Sequence, residues 1–405
     1  MTRVVLPLRP ARLWADARPL TFNNIHAFAR PIGAASYIIE RHTMKKLTLL
    51  AGTALLLGAP LTVSAHETDK TAPHAMGHAP IGVMADHRHK KGEVMTAYRF
   101  MAMDMSGNRD GTRSLTPETI ATTVPNTFFG APGQPPTLRV VPLEMQMNMH
   151  MVGAMYGLSD RVTLMGMTSY LDNEMDHVTF MGGMGTAVRG NFTTASKGLG
   201  DTTIAAIIGL DDGAKATRQI NLNLGLSLPT GSIKETDQIL TPPGTAPTVR
   251  LPYPMQLGTG TFDFKPALTY FDRAGKIGWG AQGSARIALG DNNQDYRFGN
   301  RTEATAWLAY EPVYSVSFSG RIKAWTQDPV SGRDAAIAGP VQTADPDNHG
   351  GQQVQALLGV NWAGQTGALR GHRLALEYGV PLYRDLNGPQ LETDSVLTLG
   401  WQKAF

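Results

Sequence analysis

The ten residues from Gln219 to Leu228 place Ile220, Leu222, Leu224, Leu226 and Leu228 on one face and Asn221, Asn223 and Ser227 on the other. A period of two marks an extended strand whose faces meet unlike surroundings. Val354, Ala356, Leu358, Val360 and Trp362 repeat the pattern against Gln353, Gln355 and Asn361. From residue 93 onward about twelve such segments can be drawn, the first over 93–105 and the last over 391–405. Each has roughly the 9–11 residues that a tilted strand needs to cross a bilayer. The connections alternate: odd-numbered segments are followed by long Pro/Gly/Asp-rich stretches, even-numbered ones by short turns such as Gly157-Leu-Ser-Asp160 and Glu311-Pro-Val313. Long loops outside, short turns within and an even strand count belong to membrane barrels. The expectation is an all-β fold, a transmembrane antiparallel up-and-down β-barrel of about 12 strands spanning 93–405.

Composition supports this and removes other classes. The chain of 405 residues has no cysteine, so thiolate chemistry, disulfides and Cys-based zinc sites are excluded. At 42% hydrophobic residues it is not a polytopic helical membrane protein. Met44-Lys-Lys46, the apolar run Leu47 to Leu57 and the small residues Val63-Ser-Ala65 read as a signal peptide over 44–65, too short in its core to span a membrane. Residues 1–43 are then an over-extended start or a disordered extension, and 66–92 a Met/His-rich periplasmic tail. Residues 1–65 hold 8 of the 36 basic and 2 of the 33 acidic residues, leaving 28 against 31 and a net of −3 in place of +3. A nucleic-acid partner loses its electrostatic basis.

The chain closes on Leu397-Thr-Leu-Gly-Trp-Gln-Lys-Ala-Phe405. This alternating strand with a terminal aromatic resembles the assembly signal of bacterial outer-membrane barrels, although Lys403 stands where a further aromatic is usual. The resemblance implies the cell outer membrane, outer-membrane lipid and the barrel-assembly machinery as partners. Three motifs carry a second likeness: Gly198-Leu-Gly-Asp201, Leu228-Pro-Thr-Gly231 and Leu257-Gly-Thr-Gly-Thr-Phe-Asp263. In that order they resemble the outer-membrane transporter family labelled putative MetA-pathway of phenol degradation. That implies a barrel akin to channels for hydrophobic compounds and supplies no catalytic residue.

Methionine is over-represented at 19 residues, most of them between Met76 and Met175. Alternation in the first strand puts Arg99, Met101 and Met103 in the lumen, and in the third Met165 and Met167. In the second strand Met145, Met147, Met149, Met151 and Met155 alternate with Glu144, Gln146, Asn148 and His150. Polar residues are expected in the lumen, which assigns His150 and Glu144 inward and these methionines to lipid. Thioethers lining part of a lumen suit greasy solutes or soft ions such as Cu(I) and Ag(I). Asp263, Arg286, Arg321 and Glu377 are expected to pair across the lumen.

The tail adds His66, His74, Met76, His78, Met84, His87 and His89 as candidate metal ligands. Its composition is similar to the Met/His-rich amino-terminal tails of copper-resistance outer-membrane proteins, making copper the candidate cofactor. No serine stands in a nucleophile setting, and acid clusters such as Asp172, Glu174 and Asp176 suit solvated loops, so no enzymatic activity is expected. The leading reading is a passive outer-membrane channel for small hydrophobic or soft-metal solutes. The alternative is a copper-binding envelope protein that acts in metal resistance through its tail.

Overall fold

A computed structural model describes residues 74–211 and 217–405. The expected leader, residues 1–43 and His66 lie outside the described residues. The wall consists of β1 (Val94–Gly111), β2 (Val140–Ser159), β3 (Val162–Phe180), β4 (Val188–Leu199), β5 (Thr202–Gly209), β6 (Gln219–Leu228), β7 (Asp263–Ala274), β8 (Ile277–Ala288), β9 (Arg301–Val313), β10 (Val316–Gln327), β11 (Gly351–Ala363) and β12 (His372–Ala404). Each pairs antiparallel with its neighbour in the order β12-β11-β10-β9-β8-β7-β6-β5-β3-β2-β1, and β1 pairs back onto β12. The ring of strands is therefore closed, with β4 paired only to β3.

β12 is one run of 33 residues with two arms. Arg373 to Leu386 pair with β11, and Leu391 to Ala404 pair with β1, with Gly388 at φ +66° in the bend. The Phe405 amide donates to Val94 O at 2.8 Å, so the terminal strand seals the barrel against its first. Counting both arms, and β4 as the continuation of β5, the wall makes twelve passes.

β4 and β5 are two halves of one pass, broken at Gly200 and Asp201; β3 pairs with β5 below the break and with β4 above it. The three glycine motifs of the sequence meet at this break. The Asp201 carboxylate accepts hydrogen bonds from the Gly231 and Thr259 amides at 2.9 and 2.8 Å and from Thr259 Oγ1 at 2.9 Å. A Cβ on Gly231 would stand 2.7 Å from Gly258 Cα, so only glycine lets the two segments approach this closely.

Every pass contributes an exposed apolar side chain to the outer surface. Val152, Leu164, Ile204, Leu224, Leu268, Leu308, Phe318, Leu358 and Leu376 all lie in this ring, with Leu358 73% exposed. Tyr156, Trp279, Tyr310 and Tyr314 stand at one rim. Water-exposed positions would select polar residues here, whereas hydrocarbon requires apolar ones.

The barrel is taller than the sequence suggested on one side. β2 has 20 residues and β3 has 19, about 60 Å at the usual strand rise, where 9–11 residues span the bilayer. Where a solvated loop was expected around Asp172, Glu174 and Asp176, the chain continues as the top of β3, turns over 181–187 and returns as β4. Asp172, Glu174 and Asp176 accordingly lie on a strand above the apolar ring. The long loops fold over the same end. Tyr253, Tyr296, Val330 and Ile337 from three of them form a buried cluster, and a helix, α1 (Pro117–Thr123), packs Ile120 and Ala121 against Leu138, Val141 and Phe180.

Candidate functional site

Strand register fixes which side chains enter the lumen. Arg99 lies opposite Met151, Met101 opposite Met149, Met103 opposite Met147 and Met105 opposite Met145. β3 continues the rows, with Met165 opposite Met155 and Met175 opposite Met145. Met95, Met145, Met155 and Met175 are buried, while Tyr98, Val152, Tyr156 and Leu164 on the alternate positions are exposed. The methionines of β2 thus face the lumen, not lipid, and Glu144, Gln146 and His150 face outward. His150 is exposed and its Nδ1 pairs with Tyr98 Oη at 2.7 Å, so it is not a lumen residue. The upper half of β2 stands above the apolar ring, where an outward polar residue meets water. Its lower half carries the deciding signal, since Val152, Ala154, Tyr156 and Leu158 set the outward phase.

The closed ladder and the apolar ring now settle the environment. The chain is an outer-membrane β-barrel.

Its lumen has two unlike sides. β1, β2 and β3 give a wall of thioethers running from Met95, Met155 and Met165 at one end to Met145 and Met175 at the other, where Met255 and Leu251 of an outer loop complete the packing. Opposite stands a ladder of ion pairs. Arg321 Nε and Nη2 donate to Glu377 at 2.8 and 2.6 Å, Arg286 reaches Asp263 at 3.4 Å, and Arg301 reaches Glu303 at 3.3 Å. Between the sides lies a cavity of ≈ 250 Å³ lined by Met84, Met165, Met167, Lys265, Arg286 and Glu303.

Residues 74–92, expected as a tail ahead of the barrel, run back inside it and form a plug. The Gly82 amide donates to Glu377 Oε2 at 3.1 Å, and Arg373 Nη2 donates to Ala79 O at 2.6 Å. Gln282 Nε2 donates to Met84 O at 2.7 Å, Asn221 Nδ2 to Asp86 O at 2.8 Å, and the His89 amide to Thr163 Oγ1 at 2.8 Å. The plug thus touches the wall from β3 around to β12. Glycines on the wall make room for it: a Cβ on Gly400 would fall 2.5 Å from Ile81, and one on Gly278 would fall 2.7 Å from the Met76 sulfur. Short chain length and hydrogen-bonded backbone allow this segment to bury its polar groups without regular structure.

The candidate metal ligands separate within the plug. His74 Nδ1 pairs with Glu311 Oε2 at 2.7 Å, and Met76 is buried against Phe271 and Trp307. Met84 contacts the Arg99 guanidinium. His78, His87 and a residue not foreseen from the sequence, Asp86, converge: His87 Nδ1 is 2.8 Å from Asp86 Oδ1 and 3.2 Å from His78 Nδ1. His89 stacks edge-on to His87 at 5.0 Å between ring centres and approaches Glu93 at 3.5 Å. Burial, with His87 beside it, drives the His78 pKa well below its ordinary value. Burial alone would raise Asp86, but the charge and hydrogen bond of His87 outweigh it and hold the carboxyl far below the usual range. Adjacency of Asp86 to His87 was the available signal for the missed member.

No family model matches the chain, and a search of curated proteins finds no relative. Solved structures share the general shape. An outer-membrane channel from Pseudomonas putida F1 is 13% identical, with a TM-score of 0.49 over 78% of this chain and 97% of that one. The Pseudomonas putida toluene transporter TodX is 8% identical, with a TM-score of 0.39 over 83% and 96%. A FadL homologue from Pseudomonas aeruginosa is 9% identical, with a TM-score of 0.39 over 77% and 90%. At such identities and scores the likeness adds no weight. The barrel stands on its own strand ladder.

Proposed function

We propose that the chain is a passive channel that admits small hydrophobic solutes across the outer membrane. The observation that carries this reading is the continuous thioether wall, which runs from the plug to the outer loops inside a barrel. Thioether side chains are apolar, unbranched and polarizable, so they adapt to solutes of varied shape. The ion-pair ladder opposite holds the plug's polar backbone, which leaves the thioether side as the apolar face that a greasy guest would meet. The resemblance of the three glycine motifs to the phenol-degradation transporters points to the same solute class.

A second reading, soft-metal passage, is favoured by the cross-strand rows. Met101 with Met149, and Met105 with Met145 and Met175, put two or three sulfurs on one level, as Cu(I) or Ag(I) would need. Proteoliposome flux separates the two. An aromatic hydrocarbon crossing faster than through protein-free lipid supports the leading reading, and equal rates would remove it. The variant Met101→Leu/Met149→Leu keeps volume and apolarity while deleting two sulfurs. Hydrocarbon flux is expected to survive it, whereas a soft-metal channel would lose Ag(I) flux.

A further inference from the structure

We propose that His78, Asp86 and His87 form a binding site for a divalent transition-metal ion of the Zn(II)/Cu(II) class, and that the ion ties together the two limbs of the plug loop. This inference rests on the plug's own geometry and stands whatever solute the lumen passes.

Hydrogen bonding alone does not account for the three groups. The neutral His87 ring offers one Nδ1 proton at most, yet Nδ1 faces Asp86 Oδ1 at 2.8 Å and His78 Nδ1 at 3.2 Å together. Asp86 Oδ2 is 3.9 Å from His78 Nδ1 and accepts from the Ala79 amide at 2.8 Å, which fixes the carboxylate. One ligand atom from each of the three residues lies within 4.8 Å of the others, and the two imidazole nitrogens, 3.2 Å apart, match the roughly 3.3 Å edge of a tetrahedron with arms of 2.0–2.1 Å, the usual zinc–imidazole length. Burial adds to this: His87 is 6% exposed, and its other ring nitrogen, Nε2, has no hydrogen-bond partner among the described residues, so no second bond fixes which nitrogen carries the proton. Such a pocket is not finished as a hydrogen-bonded core.

Chemistry selects the ion. Two imidazoles and one carboxylate suit Zn(II) or Cu(II), whereas Mg(II) and Ca(II) require a shell of oxygens. Asp86 and His87 also line a cavity of ≈ 40 Å³ together with Met84, Met95, Arg99 and Met151, room for a water that could serve as a fourth ligand. An ion held at both ends of the segment from 78 to 87 closes a short loop, and short loops are ordered readily by such a clip. The loop is the part of the plug that carries Gly82 and Met84 across the lumen.

The test uses the full chain in detergent. Zn(II) and Cu(II) are titrated separately with Mg(II) as reference, on wild type, on His78→Gln/His87→Gln and on His66→Gln. Heat-modifiable migration on a gel reports that each barrel is folded. One equivalent of Zn(II) is expected in wild type and in His66→Gln, falling at least tenfold in affinity in the double variant. Cu(II) in wild type should show two imidazole nitrogens by electron paramagnetic resonance, a readout that needs no variant. Zn(II) should also slow amide exchange across 79–88. Binding lost in His66→Gln but kept in the double variant, Mg(II) binding as well as Zn(II), or amide exchange unchanged by Zn(II) would each overturn the proposal.

Discussion

Replacing Gly82 by valine is expected to release the plug while leaving the barrel whole. A Cβ at Gly82 would stand 2.3 Å from both Arg321 Nη2 and Glu377 Oε2. These atoms cannot simply swing aside, because Arg321 and Glu377 hold each other at two points and are both almost fully buried. The plug must therefore lift, and with it goes the hydrogen bond from the Gly82 amide to a charged acceptor. Bonds of that kind contribute about 1.5–3 kcal/mol, so the docked-to-undocked ratio should fall by roughly ten- to a hundredfold. The wall itself loses no ladder hydrogen bond. The assay is conductance in planar bilayers, combined with maleimide labelling of an Ala79→Cys reporter in this otherwise cysteine-free chain. Expected are larger or more frequent openings and faster labelling, with an unchanged barrel melting temperature. Conductance and labelling equal to those of the Gly82 protein would refute the steric argument and the docking contact behind it.

Three further outcomes follow from other parts of the molecule. Tyr253 is 1% exposed and packs edge-on to Tyr296 at 4.9 Å, so Tyr253→Ala should cost the outer loops about 3 kcal/mol and speed their proteolysis; unchanged nicking would contradict that packing. His349, buried and bonded to Thr343 O at 3.1 Å, has its pKa lowered by burial to about 4. Above pH 6.5 folded and unfolded loops both hold it neutral; as pH falls from 6.5 to 4 only the unfolded form takes up the proton. Loop stability should therefore be full above pH 6.5 and drop by about 3 kcal/mol on approaching pH 4. Proteolysis measured across that range, with His349→Gln flattening the profile, checks it; identical profiles would count against it. Asp201→Ala removes the acceptor of three hydrogen bonds that join the motif loops, and should lower the melting temperature of the folded barrel; no change would mean that the motif glycines hold the break unaided.

Much of the barrel was legible because its signals are local. The period of two in Gln219–Leu228, the short turn at Gly157–Asp160 and the closing strand to Phe405 are each read from a few neighbouring residues. The inward phase of Arg99, Met101, Met103, Met165 and Met167 came from the same rule. His150 and the methionines beside it were misassigned because alternation tells that the two faces differ, but not where the membrane stops. In the upper half of β2 the outward face meets water, and polarity no longer marks the lumen. The plug was illegible for another reason: Gly82 and Glu377 are 295 positions apart, and the partners of residues 74–92 are spread over seven strands. What local trace there was lay in Asp86 beside His87, and in lumen glycines such as Gly278 and Gly400, which look like ordinary strand glycines until Met76 and Ile81 fill the space before them.

The central claim is that odd-numbered side chains of β2 line an enclosed lumen while the even-numbered ones from 152 to 158 meet lipid. Because the chain has no native cysteine, nitroxide labels can be placed singly from 149 to 158 in proteoliposomes. Collision with dissolved oxygen, which concentrates in hydrocarbon, should peak at 152, 154, 156 and 158 and dip at 151, 153 and 155. Peaks at the odd positions would turn the methionine wall outward to lipid and contradict the account.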